Sequence, residues 1–469
     1  MNILKKVWRF LVICCLCCFS TFAQIATPLS PNDKALDSIG ARILNEDTIL
    51  GFSVTIASGN RIVYNKGFGY IDVDKTKPIT NKTRFDIASI SKLIGVNIIM
   101  KLVEQNKLNL DSTLDMLMPE FPEKELARKI QLRHLLSHTS GLYDYALEID
   151  NVFKATGVLP KKEDFLAFFK GKQLLFTPGD NYQYCDSGFM LMAYIAENAT
   201  GKDWQQLIDT YINKPDQQNF QLIEFAAEWP ETSPINDFVM DGFKTVPTWT
   251  YVIGDGGLTA TSAMLALFPS FWTKGKIITP SSYDEMIVPK QLNDGTTIGY
   301  GLGVRNGEFL GERIIGHTGG WKNTFAIMAH FPEREITFVG LMNTDDSPTS
   351  VNTIFSKYMA EVLKKSRPDY TTNAIIISNG HEYSGTYHGW DVQYNNEGTK
   401  ITIQQKEEGQ LFYCLKGSCE KLFPMGDNRF WLKNYPYDFI EFQMNDQGQA
   451  LAIREYYYGF FQVLRKKVP

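Results

Sequence analysis

Hydrophobic residues recur with two different periods in the first part of the chain. At residues 51–73, GFSVTIASGNRIVYNKGFGYIDV contains two β-rich runs around the Ser-Gly-Asn at 58–60, which predicts an antiparallel hairpin. After Ser89 the apolar positions follow a helical period, so we expect a helix to begin at or near this serine. The positions that carry the period are Ile90, Leu93, Ile94, Ile98 and Leu102.

Strand-like segments return at residues 311–343 as GERIIGHTGG, TFAIMAHF and EITFVGLMN, after a middle region of mixed helix and loop. Because strands lie at both ends of this region, we expect them to form one sheet. A helical period follows the last of them. Its apolar positions are Ile354, Phe355, Tyr358, Met359, Val362 and Leu363.

The pattern changes again after the polar stretch at residues 364–369. Only short strand-like runs follow, namely KITIQQ, LFYCL, RFWLK, DFIEFQM and LAIREYYYGFFQVL. The pattern therefore predicts a mixed domain over residues 24–365, a linker over 366–374 and an all-β domain over 375–469.

The first 23 residues have the character of a secretory signal. Lys5, Lys6 and Arg9 precede FLVICCLCCFSTFA, which is too short to span a bilayer comfortably and ends in a small residue, Ala23. An uncleaved anchor is the alternative, and a lipoprotein is less favoured because no Cys follows a small residue in the expected way. We expect residues 1–23 to be cleaved and the protein to be exported.

Charge and cysteine content narrow the possible partners. Without the signal the chain has 44 Lys and Arg against 52 Asp and Glu, a formal charge of −8, which disfavours nucleic acid. The same cut leaves Cys185, Cys414 and Cys419, and no metal-binding spacing. Cys414 and Cys419 flank a predicted hairpin turn, so a disulfide and two free thiols are both open.

Candidate chemistry begins with Ser89 and Lys92. Three residues are almost one helical turn, so both side chains project on one face. A partly desolvated lysine has a lowered pKa and can then help to take the serine proton. The ordinary alternative is a capping serine and a solvated lysine. A second Ser-x-x-Lys match at residues 418–421 lies among strand-like residues and is interpreted as chance.

Further segments in a fixed order give this pair its context. They are GFGYIDVDKTKPITNKTRFDIASISK, KLNLDSTLDMLMPEFP, LRHLLSHTSGL, PGDNYQYCDSGFMLMAYIAE, GDGGLTATSAMLALF, YGLGV and HTGG. With them the chain resembles the serine β-lactamase and penicillin-binding-protein superfamily over about residues 26–363, in particular its class C-like branch of esterases, D-aminopeptidases and D-alanyl-D-alanine carboxypeptidases. The resemblance implies an α+β fold, an antiparallel sheet flanked by helices plus a helical subdomain.

The resemblance also implies roles for individual residues. Ser89 matches the acylated nucleophile, Lys92 its activating partner and Tyr184 the phenolic general base and acid. The N–H of Gly320 together with that of Ser89 would form the oxyanion hole. Packing is the alternative for Tyr184, and a strand-end turn is the alternative for the HTGG segment. His138, in SHTSGL, is interpreted as scaffold near the cleft.

Substrate contacts are expected from Asp186, His317, Thr318 and Gly319, and two of these depart from the family pattern. Asp186 stands where many relatives have Asn, and it could pair with Lys92 and hold that lysine charged, shifting proton abstraction towards Tyr184. His317 stands where relatives have Lys, and an imidazole attracts a substrate carboxylate less reliably. Both changes favour ester or peptide substrates over β-lactams.

The sequence therefore predicts an exported serine hydrolase, periplasmic or extracellular in a bacterium, that acts on ester or D-amino-acid peptide bonds through an acyl-enzyme. It is expected to be a monomer without metal or cofactor. Loops 143–162 and 229–249 are expected to shape the pocket, and the substrate is expected to be a small ester or peptide, with the cell wall as one source. The alternative is a penicillin-binding-like sensor without turnover, and a true β-lactamase is less favoured. The C-terminal domain resembles lipocalin-like β-barrel modules. Packing is the default role of its aromatic residues, and the alternatives are that some line a ligand cavity or cap the catalytic cleft.

Overall fold

The structure is a computed structural model. The predicted signal at 1–23, most of the linker at 366–374 and most of the loops 143–162 and 229–249 lie outside the residues it describes. The described residues are 29–46, 49–146, 148, 162–216, 218–222, 235–239, 242–246, 253–273, 275–321, 324–344, 351–367, 369, 380–390, 398–407, 409–432 and 437–468.

Strands occupy both ends of the described chain. In chain order they are β1 (Gly51–Ser58), β2 (Arg61–Gly69), β3 (Phe85–Asp86), β4 (Gln221–Leu222), β5 (Ile235–Val239), β6 (Gly242–Val246), β7 (Leu258–Ala260), β8 (Arg305–Phe309), β9 (Glu312–Trp321), β10 (Thr324–Phe331), β11 (Ile336–Met342), β12 (Gly385–Gly389), β13 (Thr399–Glu407), β14 (Gln410–Leu415), β15 (Ser418–Gly426), β16 (Arg429–Leu432), β17 (Phe439–Met444), β18 (Ala450–Tyr457) and β19 (Phe460–Lys467).

Ten of the twelve α-helices in the described ranges lie between β2 and β8. In chain order the twelve are α1 (Asp33–Glu46), α2 (Ile90–Glu104), α3 (Leu114–Leu117), α4 (Lys124–Ala127), α5 (Leu132–Leu136), α6 (Lys162–Ala167), α7 (Asp186–Thr200), α8 (Trp204–Ile208), α9 (Lys214–Asp216), α10 (Ser262–Thr273), α11 (Pro280–Ile287) and α12 (Val351–Leu363). A π-helical turn, Asp209–Asn213, joins α8 to α9, and short 3-10 turns lie at Pro332–Arg334 and Gly380–Glu382.

The main sheet is antiparallel, with strand order β8-β9-β10-β11-β1-β2. The β1–β2 hairpin forms around residues 58–60 as predicted, and β1 lies beside β11 with Thr55 opposite Val339. The expectation that strands from both ends build one sheet is therefore confirmed. Helices α1 and α12 pack on one face, and α10 covers the other, where Ser262 hydrogen-bonds Ser53. Because both faces are covered, β1 is buried over almost its whole length.

Helix α2 is the central helix of the helical subdomain. It begins at Ile90, with Ser89 as its N-cap, so the predicted start is confirmed. Nearly all of its residues are buried, on every face, because it packs against α7 on one side and against the strands β9 and β10 on another. A helix that is apolar all round belongs in the interior, and this position fixes its first turn rigidly.

The eight strands β12 to β19 form a closed antiparallel barrel. Each strand pairs with the next one, and β12 also pairs with β19, with Tyr387 opposite Lys467. The expected all-β C-terminal unit is confirmed by this closure, which leaves no unpaired edge. Cys414 and Cys419 face each other across the β14–β15 hairpin and form a disulfide, and Cys185 is a free, buried thiol.

The barrel is continuous with the main sheet. Phe460 in β19 pairs with Gly307 in β8, so the barrel wall continues into the edge of the sheet. Phe461 and Leu464 belong to the same hydrophobic cluster as the interior of the helical subdomain. Part of the barrel therefore belongs to the same core as the helical subdomain, and a second cluster around Phe430 forms the barrel's own core. Among the described residues, no helix has the length and apolarity needed to cross a membrane.

Candidate active site

Ser89 lies at a tight turn between a strand and a buried helix. Strand β3 pairs with β7, and the chain then turns through Ala88, which has a positive φ of 44°. The carboxylate of Asp86 accepts a hydrogen bond from the Ala88 N–H at 2.8 Å and holds this turn. A non-glycine residue in the left-handed region is uncommon and often marks a functional site. The turn leaves Ser89 partly exposed above a buried helix.

Lys92 is completely buried and lies directly beneath the serine. Its Nζ donates to Ser89 Oγ at 3.0 Å and to the carbonyl of Asp255 at 2.7 Å, and it forms an ion pair with Asp186 Oδ1 at 2.6 Å. The two hydrogen bonds go to Ser89 and Asp255, and the contact with Asp186 is an ion pair. The structure therefore brings together Ser89, Lys92 and Asp186.

The pKa of Lys92 is not lowered, contrary to the expectation from the sequence for a desolvated lysine. Burial does lower its pKa, but the charges of Asp186, Tyr184 and Asp255 act against burial, and the pKa lies above the ordinary lysine value. The expectation of a lysine with a lowered pKa is therefore wrong, because the charges of Asp186, Tyr184 and Asp255 together outweigh desolvation. The second expectation, that Asp186 pairs with Lys92, is confirmed by the distance.

Tyr184 precedes α7 and is buried between two cations. Lys92 Nζ lies 5.1 Å from the ring centroid, and the guanidinium carbon of Arg305 lies 4.9 Å from it. Burial raises the pKa of the phenol, Lys92 and Arg305 lower it, and Asp186 raises it, so that it stays above its ordinary value. Ser89 also hydrogen-bonds the phenol oxygen. Because Ser89 Oγ accepts from Lys92, its own hydrogen is free to point to Tyr184.

His138 supports the segment that carries Tyr184. Its Nδ1 accepts a hydrogen bond from the Cys185 N–H at 3.0 Å, and its ring lies 4.2 Å from that of Tyr184. Burial first, and then the charges of Lys92 and Arg305, hold the pKa of His138 well below its ordinary value. The imidazole is therefore neutral and agrees with the interpretation of His138 as scaffold.

Strand β9 approaches the Ser89 turn so closely that only glycine fits. A Cβ on Gly319 would lie 2.5 Å from the carbonyl oxygen of Ile87 and 3.1 Å from the Ser89 nitrogen. Gly320 follows at a partly exposed position, paired with Phe325 of β10, and Thr318 is also partly exposed. The structure thus places the HTGG segment beside the serine, as the two predicted N–H donors require.

His317 points away from solvent. Its Nδ1 lies 2.6 Å from the Thr318 carbonyl, which can only accept, so Nδ1 carries the hydrogen and the neutral Nε2 accepts from the Tyr300 hydroxyl at 2.9 Å. Burial, and then Arg305 and Lys92, hold its pKa well below the ordinary value. Because the side chain is fully buried, a contact of His317 with substrate would have to use its backbone.

Sequence reasoning missed two buried carboxylates around this site. Burial and then the charge of Asp186 raise the pKa of Asp144 to about 8. Burial raises the pKa of Asp255 to about 7, although the charge of Lys92 opposes it, and Tyr145 donates to this carboxylate at 2.5 Å. Asp255 is the single acidic residue in the glycine-rich segment GDGGL, and this feature could have marked it as a candidate site residue. Within the described ranges, no group of three His, Cys, Asp or Glu residues could hold a metal ion.

The geometry can be compared with known proteins through the sequence. The family described as Beta-lactamase matches residues 36–357, more than half of the chain. The chain belongs to this beta-lactamase family. Ser89, Lys92, Tyr184 and the HTGG segment all fall within the matched residues.

Relatives of this beta-lactamase family member include peptidases and penicillin-binding proteins. Penicillin-binding protein 4* of Bacillus subtilis is 26% identical over 84% of this chain and 90% of its own length. A D-aminopeptidase of Brucella anthropi is 24% identical over 64% of this chain, which spans only 57% of that enzyme. The octameric penicillin-binding protein homologue from Pyrococcus abyssi matches 92% of this chain and 99% of its own, with 22% identity and a TM-score of 0.63.

The family match and these relatives support a hydrolase of the serine type. The structural match shows the fold, including the combination of an α+β domain with a second unit, since it extends over nearly the whole chain.

Proposed function

We propose that this protein is an exported serine hydrolase that cleaves ester or D-amino-acid peptide and amide bonds through an acyl-enzyme. One observation carries the proposal. Lys92 Nζ donates to Ser89 Oγ while the Ser89 hydroxyl bonds the Tyr184 phenol, so the serine has both a fixed position and an acceptor for its proton.

Acylation then needs no group beyond those described. Tyr184 acts in its deprotonated form: Ser89 Oγ bonds to the substrate carbonyl carbon, and its proton passes to the phenolate oxygen of Tyr184. The carbonyl oxygen becomes an oxyanion that accepts from the N–H groups of Ser89 and Gly320. When the bond to the leaving group breaks, the leaving group takes the proton from Tyr184.

Deacylation repeats the same path with water. Tyr184 takes a proton from the water molecule, whose oxygen attacks the acyl carbon, and the bond to Ser89 Oγ breaks with return of that proton to the serine. Lys92 stays charged throughout, because it forms an ion pair with Asp186 and donates to the Asp255 carbonyl. Its contribution is to position Ser89 and to stabilise negative charge on the phenol oxygen.

The substrate class is proposed from two side chains, Asp186 and His317, that cannot bind a substrate carboxylate. Asp186 is occupied by Lys92 and has no N–H to offer, and the neutral His317 is buried, so neither position attracts a substrate carboxylate. This favours neutral esters and D-amino-acid amides over penicillins. A D-aminopeptidase among the relatives agrees with this class.

The nucleophile is tested with a fluorophosphonate probe. Wild-type protein should be labelled covalently, Ser89→Ala should not be labelled, and its ester hydrolysis should fall by at least about a thousandfold. Ser418→Ala is the matched control, since this exposed serine begins β15 in the other Ser-x-x-Lys match. Labelling that survives in Ser89→Ala, or is lost in Ser418→Ala, would refute the assignment.

A sensor that acylates without turnover is the second candidate, favoured by the ion pair that keeps Lys92 protonated. The two functions differ in deacylation. A hydrolase should release many equivalents of product from short-chain esters or D-amino-acid amides, whereas a sensor should give one burst equal to the protein concentration.

Export and the monomeric state belong to the same proposal. Export is tested by N-terminal sequencing of protein recovered from the periplasm or the medium, which should begin after residue 23. Size-exclusion chromatography with light scattering tests the monomer, which differs from the octamer named for the Pyrococcus abyssi homologue.

A further inference from the structure

Arg305 is a buried cation for which the sequence offered no role. It begins β8, its side chain is 1% exposed, and within the described residues it forms no ion pair with Asp or Glu. Its guanidinium carbon lies 4.9 Å from the centroid of the Tyr184 ring and 5.7 Å from that of Tyr300. A charge removed from water needs compensation, and here the faces of two aromatic rings supply part of it.

The C-terminal barrel supplies another part. Arg305 Nη1 donates to the carbonyl of Phe461 at 2.6 Å, and Phe461 lies in β19, the barrel strand that pairs with β8. The ring of Phe461 packs 5.0 Å from that of Tyr182, just upstream of Tyr184. The barrel thus contacts both the arginine and the segment that carries the proposed base.

The charges around Tyr184 come from several elements. The cations are Lys92 of α2 and Arg305 of β8, and the anion is Asp186 of α7. Arg305 and Lys92 lower the pKa of the phenol, whereas burial and Asp186 raise it. The neutral titratable groups that face it are His138, Tyr182, Tyr300 and His317.

We infer that the barrel completes the active site by fixing Arg305 over the Tyr184 ring through the Phe461 carbonyl, and that Arg305 is a positioning residue whose charge stabilises the deprotonated form of Tyr184 that accepts the proton. The inference rests on the proposed role of Tyr184 as the base. The barrel is then part of the catalytic machinery rather than an appended module.

The charge is tested with Arg305→Met and Arg305→Lys, measuring kcat and KM for a neutral ester between pH 6 and 10. In Arg305→Met the acidic limb of kcat/KM should move to higher pH by about one unit, which is about a tenfold loss at pH 7.5, mainly in kcat. Arg305→Lys should keep the limb near its wild-type position. An unchanged kcat/KM at pH 7.5, or a lysine variant no better than the methionine variant, overturns the inference.

The contribution of the barrel is tested with two aromatic substitutions. Phe461→Ala should shift the limb in the same direction as Arg305→Met, and the double variant should shift it less than the two single shifts together. Phe430→Ala is the matched control, because Phe430 packs in the barrel's own core. It should lower the melting temperature without moving the limb. A limb that moves equally in both barrel variants, or in neither, overturns the role of the barrel.

Tyr184→Phe separates failure of this inference from failure of the proposed function. If this variant keeps the wild-type limb, Tyr184 is not the base and the proposed mechanism fails. If it loses the limb while Arg305→Met leaves the limb in place, the mechanism stands and only the inference about Arg305 fails.

Discussion

Asp186 sets the proton balance around Ser89. It forms the ion pair with Lys92 at 2.6 Å, and its charge raises the pKa of both Lys92 and Tyr184. Tyr184 must lose its proton to act as a base, and its pKa lies above the ordinary value. The rate with a neutral ester should therefore increase with pH from the neutral into the alkaline range.

Asp186→Asn should move this dependence. Removing the negative charge lowers the pKa of Lys92 and of Tyr184, so a larger fraction of either base is deprotonated at a given pH, and the acidic limb of kcat/KM moves to lower pH. Arg305→Met should move it the opposite way. The measurement is a pH profile with a neutral ester, with Asp37→Asn as control, because Asp37 pairs with Lys66 at the surface. An unmoved limb would mean that Asp186 has no influence on proton transfer.

The sequence predicted those features of single site residues that depend on nearby positions in the chain, but not those that depend on distant segments. Ser89 and Lys92 lie one helical turn apart, so their proximity follows from the helix itself. The charge of Lys92 does not follow, because the Asp255 carbonyl that binds it comes from a segment 163 residues away. Arg305 was missed for the same reason, since its neighbours belong to α7 and to the barrel.

Strand β9 shows how an element can be positioned by one small residue. Gly319 lies against the backbone of the Ser89 turn, where a side chain would meet the Ile87 carbonyl, which cannot rotate aside. Gly320 is the next residue of β9 and pairs with Phe325 of β10. The distance between β9 and the turn therefore sets the size of the proposed oxyanion hole.

Gly319→Ala should increase the distance between β9 and the turn that carries Ser89. The added methyl must displace β9 or the turn, at a cost of about 1–3 kcal/mol in the free energy of unfolding and with a slower reaction of Ser89 with a fluorophosphonate. Gly340→Ala in the neighbouring strand β11 is the control, because its nearest contacts, at 3.2–3.3 Å, are side-chain atoms that can shift. The predicted readouts are denaturant unfolding and labelling rate. Equal labelling rates in the two variants would contradict this account of β9.

Elements with a strong local period were predictable, and long-range closure was not. The period after Ser89 gives the start of α2, and the β1–β2 hairpin follows from its turn residues. Alternation in the C-terminal region indicates strands, but the pairing of β12 with β19 joins segments about 80 residues apart. Such a contact depends on tertiary packing and leaves no local signal.

For the whole molecule, the polar stretch at 364–369 does not separate two independent bodies. Lys365 forms an ion pair with Glu312 of the main sheet, and the guanidinium of Arg367 lies 3.5 Å from the centre of the Trp431 ring in the barrel. Phe439 stacks on Tyr456 at 4.5 Å, and both rings belong to the cluster that includes the interior of α2. The barrel and the hydrolase domain therefore stabilise each other.

This shared core predicts that the protein unfolds in one transition. A scanning calorimetry experiment on the intact chain should give a single peak whose calorimetric and van't Hoff enthalpies agree, with fluorophosphonate labelling lost across the same temperatures. Phe439→Ala should remove about 3–4 kcal/mol of stability and move this one peak as a unit, although Phe439 lies in the barrel. Two resolved peaks, with labelling lost in only one of them, would show that the barrel and the hydrolase domain unfold independently.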